Sequence, residues 1–488
     1  MSIPGIFLPA IAKGQGEEPV LHRIRGGETV FRLAIQYQVS RDSIIGWNKI
    51  RNNMIYAGRD LIVGYRKTSI QKKPGTDSLE LLYPGTSTNS NDRTIDSLRA
   101  VIDSLQAIVD GPVTDTGWSG HYNWYLPDDR DSAAALPDTA TLTDELPGIQ
   151  IEGYVDVYYA RYSNESSGGY EAFEAVDVRS NSFGLNTFQI SLEHTDTRLR
   201  GIARLHFGDL ANAAWPADLK FVRQAHFGIH LAKKLWLDAG LFPVHFGAES
   251  VPPKDNMLST IAILTFHEPF YQAGLRLGFE ESKKIYACFH VVNGYNLFTN
   301  FNKSLAAGLS LKYNVTDHFS ISYGNLLSDE LDFHIAGHRY RFYQNIAFYL
   351  SPFNNFEILA GLDLGTEEGR SIADTTKSAM ILGGLTTLKY HVSPSFGFFV
   401  RGEFFQDPDG VISARFLNSD SALTGLKTNG FTAGLEYKAR ANHYARLECR
   451  YLQADPKQTL FQGFFDSGSG LVNRRMEIVV TTGIWFSN

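Results

Sequence analysis

From residue 149 to residue 486 apolar positions recur with period two, in short runs broken by turn residues. In "RLRGIARLHFGD" (198–209), Leu199, Ala203, Leu205 and Phe207 alternate with Arg200, Ile202, Arg204 and His206. In 442–453, Ala445, Leu447, Cys449 and Tyr451 alternate with Arg446, Glu448 and Arg450. In 395–407, Arg401 and Glu403 oppose Phe398, Val400 and Phe404. Such alternation predicts strands with one apolar and one polar face. Sixteen runs are expected: 149–162, 183–196, 198–209, 219–232, 234–247, 269–280, 283–294, 304–315, 318–328, 338–351, 355–365, 380–392, 395–407, 428–440, 442–453 and 474–486.

The connections between these runs alternate too. Those after even-numbered runs are expected to hold one to three residues, and those after odd-numbered runs nine to about twenty. A soluble sandwich has no reason to keep its long loops at one end. A closed membrane barrel has short turns on one side, long loops on the other, and an even strand number. Charges on the lipid face at mid-depth cost about 2–4 kcal/mol, so Arg200, Arg204, Arg339, Arg341, Arg401, Glu403, Arg446, Glu448 and Arg450 are expected to line the pore. So many charges require a wet lumen. Their mixed signs, with a slight basic excess, permit a weak anion preference.

The first 148 residues differ. Residues 1–19 hold a short apolar stretch ending in Ala10-Ile11-Ala12, which fits either a truncated export signal or an apolar tail. Residues 20–65 show a strand–helix–helix–strand rhythm. Residues 66–148, rich in Asp, Ser, Thr and Pro, read as a linker. If flexible, it would span roughly 50 Å root-mean-square. Within it, about 94–110, IDSLRAV repeats as IDSLQAI. Ile95 and Ile102 share one seam position and Leu98 and Leu105 the other. This is a two-heptad pattern leaning towards two strands, or a helix packed on its own chain. The expected architecture is all-β: a 16-stranded antiparallel transmembrane β-barrel over 149–488, with a small N-terminal βααβ domain and a linker carrying a short coiled-coil-like helix.

Composition narrows the classes. The 45 basic and 52 acidic residues give a net charge of −7, which does not suit nucleic acid. No apolar run is long enough for a membrane-spanning helix, which leaves a β-barrel untouched. Forty-four glycines and 33 phenylalanines suit many strands with close approaches and aromatic ends. Cys288 and Cys449 fall on opposite strand faces and read as free thiols. No nucleophile motif, phosphate loop or metal-ligand spacing is present. His226 and His230 read as lumen residues, and no cofactor is expected.

Two resemblances follow. "GYVDVYYARY", "LDAGLFPVHFGAES" with Gly240, Gly247 and Glu249, "EPFYQAGLRLGF" and "VVNGYN" resemble the OmpL-like β-barrel porin family over roughly 150–300. By likeness to general porins, the third long connection (248–268) either folds inward, with Glu249, Lys254 and Asp255 at a constriction, or lies over the mouth. The terminal Phe486 resembles the barrel-assembly signal, although Ser487 and Asn488 follow it.

Residues 22–65 resemble a LysM domain. Gly27-Glu28-Thr29 stands for the family's G-D-T entry, Ala34, Tyr37 and Val39-Ser40 fit the first helix, and Ile44, Trp47 and Asn48 fit the second. Ile55, Gly58, Leu61 and Val63 fit the closing strand, and core packing is expected for Ala34, Ile44 and Trp47. The resemblance implies binding of N-acetylglucosamine-containing glycan, peptidoglycan in bacteria. The implied groove sets Gly27, Glu28, Thr29 and Val30 against Met54, Ile55, Tyr56 and Ala57. Helix capping by Glu28 and Thr29 is the alternative for those two.

The combined expectation is an outer-membrane porin of a Gram-negative bacterium, conducting small hydrophilic solutes passively and not acting as an enzyme. Its partners would be outer-membrane lipid, small solutes and, through a periplasmic LysM domain, peptidoglycan. A trimer follows from porin analogy and a dimer from the heptads. The rival readings are a closed barrel tethering membrane to wall, and a wall hydrolase, for which no segment remains.

Overall fold

The structure, a computed structural model, describes residues 17–23, 41–48, 59–67, 148–163, 170–216, 219–282, 284–300, 302, 304–331, 335, 337–462 and 471–487. The N-terminal part forms a two-stranded sheet of β1 (Glu17–Arg23) and β2 (Asp60–Lys67), with helix α1 (Arg41–Asn48) between them in sequence. Strand β1 therefore begins inside the stretch assigned above to a tail ending at residue 19. Ile44 on α1 and Leu61 and Val63 on β2 are buried, whereas Trp47 is half-buried. The Asn48 side chain donates to the Ile44 and Ile62 carbonyls at 2.8 and 2.7 Å and accepts the Ile62 N–H at 2.7 Å. One amide thus closes the end of α1 onto β2 as a strand neighbour would. Ala34 and the first predicted helix, the 94–110 heptads and both halves of the predicted glycan groove lie outside the described residues.

The barrel begins with β3 (Gln150–Tyr162), β4 (Ser182–Thr195) and β5 (Leu199–Phe207). Helix α2 (Asp209–Ala214) precedes β6 (Val222–Ala232) and β7 (Leu235–Pro243). Then come α3 (Ile263–His267), β8 (Tyr271–Ser282), β9 (Ile285–Val292), β10 (Ala306–Thr316) and β11 (Phe319–Asp329). The series continues with β12 (Tyr340–Phe353), β13 (Phe356–Glu367), β14 (Ala379–Ser393) and β15 (Phe396–Gln406). Loop strands β16 (Phe416–Leu417) and β17 (Leu423–Thr424) pair with each other before β18 (Lys427–Tyr437) and β19 (His443–Ala454). A second loop pair, β20 (Phe461–Gln462) and β21 (Leu471–Val472), precedes the last strand, β22 (Arg474–Ser487).

Sixteen strands, all but the two loop pairs and the N-terminal pair, close into one antiparallel barrel, and β22 zips onto β3 from Glu477↔Tyr162 to Ser487↔Glu152. The expected fold class and strand number stand. The differences are local. The third run stops at Phe207 because α2 starts at Asp209, and the fifth stops at Pro243, whose missing N–H cannot serve the ladder. The last short turn spans 438–442 rather than one residue, and the third long connection spans 244–270, longer than expected. Both barrel termini lie at the short-turn end, since Gln150 pairs with Glu193 beside the 196–198 turn.

The outward face is an apolar belt: Ile190, Leu205, Phe227, Leu275, Phe289, Leu362, Phe398, Leu447 and Val480 are all exposed. A contiguous apolar surface of this size needs an apolar solvent. Near the short-turn end Tyr313, Phe353, Tyr390, Phe396, Tyr437 and Phe486 stand exposed, an aromatic girdle of the kind found at bilayer interfaces.

Many glycines sit directly opposite rings. Tyr158 faces Gly184, Tyr343 faces Gly365, Phe399 faces Gly434 and Tyr444 faces Gly483 across adjacent strands. A Cβ at any of these glycines would meet the ring at 2.3–2.8 Å, so the ring lies flat over the bare backbone. Such pairs pin register from both sides of a ladder.

Candidate functional site: an inserted loop and the wall that holds it

The connection 244–270 leaves β7 and turns into the barrel. Its first segment, His245–Ala248, runs across the inner wall over β10, β11, β12 and β13. Three wall positions there are glycine. A Cβ on Gly308 would meet His245 Nε2 at 2.6 Å, one on Gly324 would meet Phe246 Cβ at 2.5 Å, and one on Gly361 would meet Ala248 Cβ at 2.3 Å. On the strand between, Asn345 accepts the Gly247 N–H at 3.2 Å. The missing side chains form a track that lets the loop lie almost backbone to backbone. Farther along, Gly383 on β14 makes room for Leu264 in the same way.

His245 adds a local rearrangement. Its Nε2 contacts the Asn325 carbonyl at 2.8 Å and its Nδ1 the Gln272 Oε1 at 2.7 Å, and the ring stacks on His290 with centroids 3.8 Å apart. The Leu309 N–H bonds the Asn325 side-chain oxygen at 3.1 Å. The side chain serves the ladder where the carbonyl is engaged by the loop.

The rest of the loop is held by charge. Arg401 donates to Glu249 at 2.9 Å and to the Thr260 carbonyl at 2.6 Å. Glu249 also accepts the Ala262 N–H at 2.7 Å. Glu403 accepts the Ile263 N–H at 2.6 Å at the start of α3. Glu448 accepts the N–H groups of Ser259 and Thr260 at 2.5 and 3.1 Å, and Arg446 donates to the carbonyls of Pro253 and Asn256, both at 2.8 Å. Lys254 reaches Glu152 on β3 at 2.8 Å. The loop therefore crosses the whole lumen, from the glycine track to the opposite wall.

A second segment joins it. Glu174, in the connection after β3, meets Arg450 at 3.1 Å and pairs with Arg475, which donates to the Ala172 carbonyl at 2.7 Å. Asn186, the extra residue of a bulge in β4, donates to Asp156 and Asp177, both at 2.7 Å. Ala175, Val176, Leu210, Trp215, Val251, Ile261 and Phe298, drawn from four long connections, form a small apolar core inside the mouth.

These positions revise the expectation for the pore. Arg401, Arg446, Arg450, Glu403 and Glu448 do point inward, but the inserted segments cover them; Arg401 and Arg450 are 0% exposed. They are anchors for loops rather than a water-facing ring. The cause is energetic: buried charges are tolerated when each is paired, and here each finds a partner on the loop or an adjacent strand. Arg200 is likewise buried, against Asp238 at 2.7 Å and Glu280 at 2.9 Å, while Arg204 is less covered and pairs with Glu193 at 2.5 Å. Arg339 and Arg341 sit at the long-loop end of β12, sharing Glu367 at 2.9 and 2.6 Å.

Of the three constriction candidates, Glu249 is a buried staple within the loop, Lys254 is tied to the wall, and Asp255 lies 3.6 Å from Lys254. His226 bonds Arg276 and His230 stacks on Trp236, so the two histidines are engaged separately. Cys288 is buried on the inner side and Cys449 exposed on the outer, both free. Gly308, Gly324, Gly361, His245 and Glu174 were missed by sequence reasoning. The one available signal was glycine recurring at inward positions of successive strands.

A closed barrel of this strand number, lined by charge and narrowed by its own loops, defines the porin class of protein. Residues 148–486 match the family described as "Putative beta-barrel porin-2, OmpL-like", and the chain belongs to that family. Residues 22–64 match the LysM domain family. Among solved structures, the anion-selective porin of Comamonas acidovorans is 11% identical with a TM-score of 0.48, covering 70% of this chain and 99% of that one. The outer membrane channel DcaP of Acinetobacter baumannii is 9% identical, TM-score 0.46, covering 69% and 97%. OmpF of Salmonella typhi is 13% identical, TM-score 0.42, covering 70% and 97%. No curated protein sequence matches the chain.

Proposed function

We propose that the chain is an outer-membrane porin through which small hydrophilic solutes diffuse passively, held to peptidoglycan by its LysM domain on the periplasmic side. The observation that carries this reading is the third long connection, folded into a closed barrel and fastened to both walls. A fixed inner loop sets the width and charge of a passage without catalysis. Family membership and the apolar belt support the membrane setting. The LysM match supports the glycan partner, and with the barrel termini at the short-turn end the chain before β3 starts from that side.

The test is single-channel conductance of the full chain in a planar bilayer, with reversal potentials in a salt gradient. Steady conductance with weak selectivity is the expected result. Co-sedimentation of the full chain with purified sacculi, competed by N-acetylglucosamine oligomers, tests the anchor. A second reading, a closed barrel acting only as a membrane-to-wall tether, is favoured by the apolar core that four connections build in the mouth. Silence from heat-modifiable, folded barrel together with sacculus binding would establish that reading instead.

A further inference from the structure

The outward face of β11 and β12 departs from the apolar belt around it. Along β12 the outward positions are Phe342, Gln344, Ile346 and Phe348, and along β11 they are Ile321, Tyr323, Asn325 and Leu327. Gln344 lies opposite Asn325, with Leu309 on β10 and Leu364 on β13 as their partners on either side. Two amides and a phenol therefore stand within the belt, framed by apolar side chains. Asn429 and Gln453, also outward, pair instead at the long-loop ends of β18 and β19, and the next outward residue beyond Asn429 is Lys427. Beyond Gln344 comes the exposed Phe342.

The three polar groups are bonded in a row. Asn325 Nδ2 donates to Tyr323 Oη at 3.1 Å, and Tyr323 Oη donates to Gln344 Oε1 at 3.1 Å. The Asn325 oxygen accepts the Leu309 N–H. Gln344 ends the row, and among the described residues its Nε2 has no acceptor. Acyl chains offer none either, and polar groups left open to hydrocarbon are costly. Amides on membrane-facing surfaces accordingly mark contacts between protein segments.

We infer that β11 and β12 form the contact between two copies of this chain, related by a two-fold axis beside Gln344, with each Gln344 Nε2 donating to the other's Oε1. A carboxamide carries both donors and an acceptor, and Oε1 keeps a second lone pair after accepting from Tyr323. Its own copy supplies what it lacks, reciprocally, and a two-fold contact closes on itself. Phe342, Ile346, Leu327 and Leu364 surround the amides with apolar surface that packs on its equivalent in the second copy. The inference takes from the porin reading only that the belt faces lipid, and it does not depend on conduction.

The test uses the full chain, by sedimentation equilibrium in detergent and by cysteine crosslinking in lipid vesicles. Heat-modifiable migration on gels verifies that each variant is a folded barrel. The parent should sediment as a dimer, and Gln344→Leu and Gln344→Met should each raise its dissociation constant about tenfold. Gln453→Leu, which removes an amide from the rim, should leave it unchanged. In vesicles a short bismaleimide should link Ile346→Cys to a second chain. The parent, whose exposed Cys449 lies five strands away on β19, should stay unlinked. A monomer in both media would overturn the pairing, as would a trimer, which a two-fold contact cannot build. A dimer that survives both Gln344 substitutions is joined elsewhere, and that too would overturn it. A silent bilayer with a Gln344-dependent dimer removes the porin reading and keeps the contact. A conducting monomer removes the contact alone.

Discussion

The two walls that hold the inserted loop do so by opposite means. Along β10 to β13 the wall gives up side chains, and Gly308, Gly324 and Gly361 admit His245 to Ala248 at contact distance. Along β15 and β19 the wall presents long charged side chains, Arg401, Glu403, Arg446 and Glu448, which reach out to the loop's backbone. The first attachment depends on shape and the second on paired charge. A short-range attachment excludes water from the start of the loop, and the charged one fixes the orientation of the rest.

The largest effect should come from the charged side. Arg401→Ala leaves Glu249 buried without its main partner and removes a donor to the Thr260 carbonyl, and a broken buried pair costs about 3–5 kcal/mol. Urea unfolding of the folded barrel should show that loss; a change within error would mean the loop is not fastened there. On the other wall, Gly324→Val places a side chain on Phe246, and such overpacking costs about 1–3 kcal/mol. The same variant should widen the distribution of single-channel conductances, because the loop can no longer lie flat.

Glu249→Gln keeps the shape and removes the charge, and should cost about 1–3 kcal/mol by weakening the bond to Arg401. Combined with Arg401→Ala it should fall short of additivity by at least about 0.5 kcal/mol, since the two groups share one interaction. Full additivity would deny the pairing. The smallest effect belongs to Lys457→Ala, whose ion pair with Asp420 at 2.7 Å is open to water, and the unfolding midpoint should stay within error of the parent. If that rim pair matched Arg401 in cost, burial would not be the source of the difference between the walls.

Legibility in the sequence follows the range of each interaction. Period-two alternation is local, so Leu199 to Phe207 or Ala445 to Tyr451 announce their strand and its two faces without reference to anything else. Short and long connections count themselves in the same way, which is why the strand number and the inward direction of Arg401, Arg446 and Arg450 could be read. The covering of those residues could not. Arg401 and Glu249 are 152 positions apart, and Glu448 and Ser259 are 189 apart. Nothing local in either segment names the other.

The glycines show the same limit from the other side. Gly308, Gly324 and Gly361 are ordinary strand glycines in sequence, and they become a track only when closure and register align them on neighbouring strands. The chain alone thus determined the barrel, its strand number, the facing of its side chains and the family of its N-terminal module, because each is written in nearest-neighbour patterning. The tertiary structure alone decided that the third connection enters the lumen and that the inward charges bind it instead of facing water. Those outcomes depend on which side chains a closed barrel brings face to face across its interior, and that distance exists only after folding.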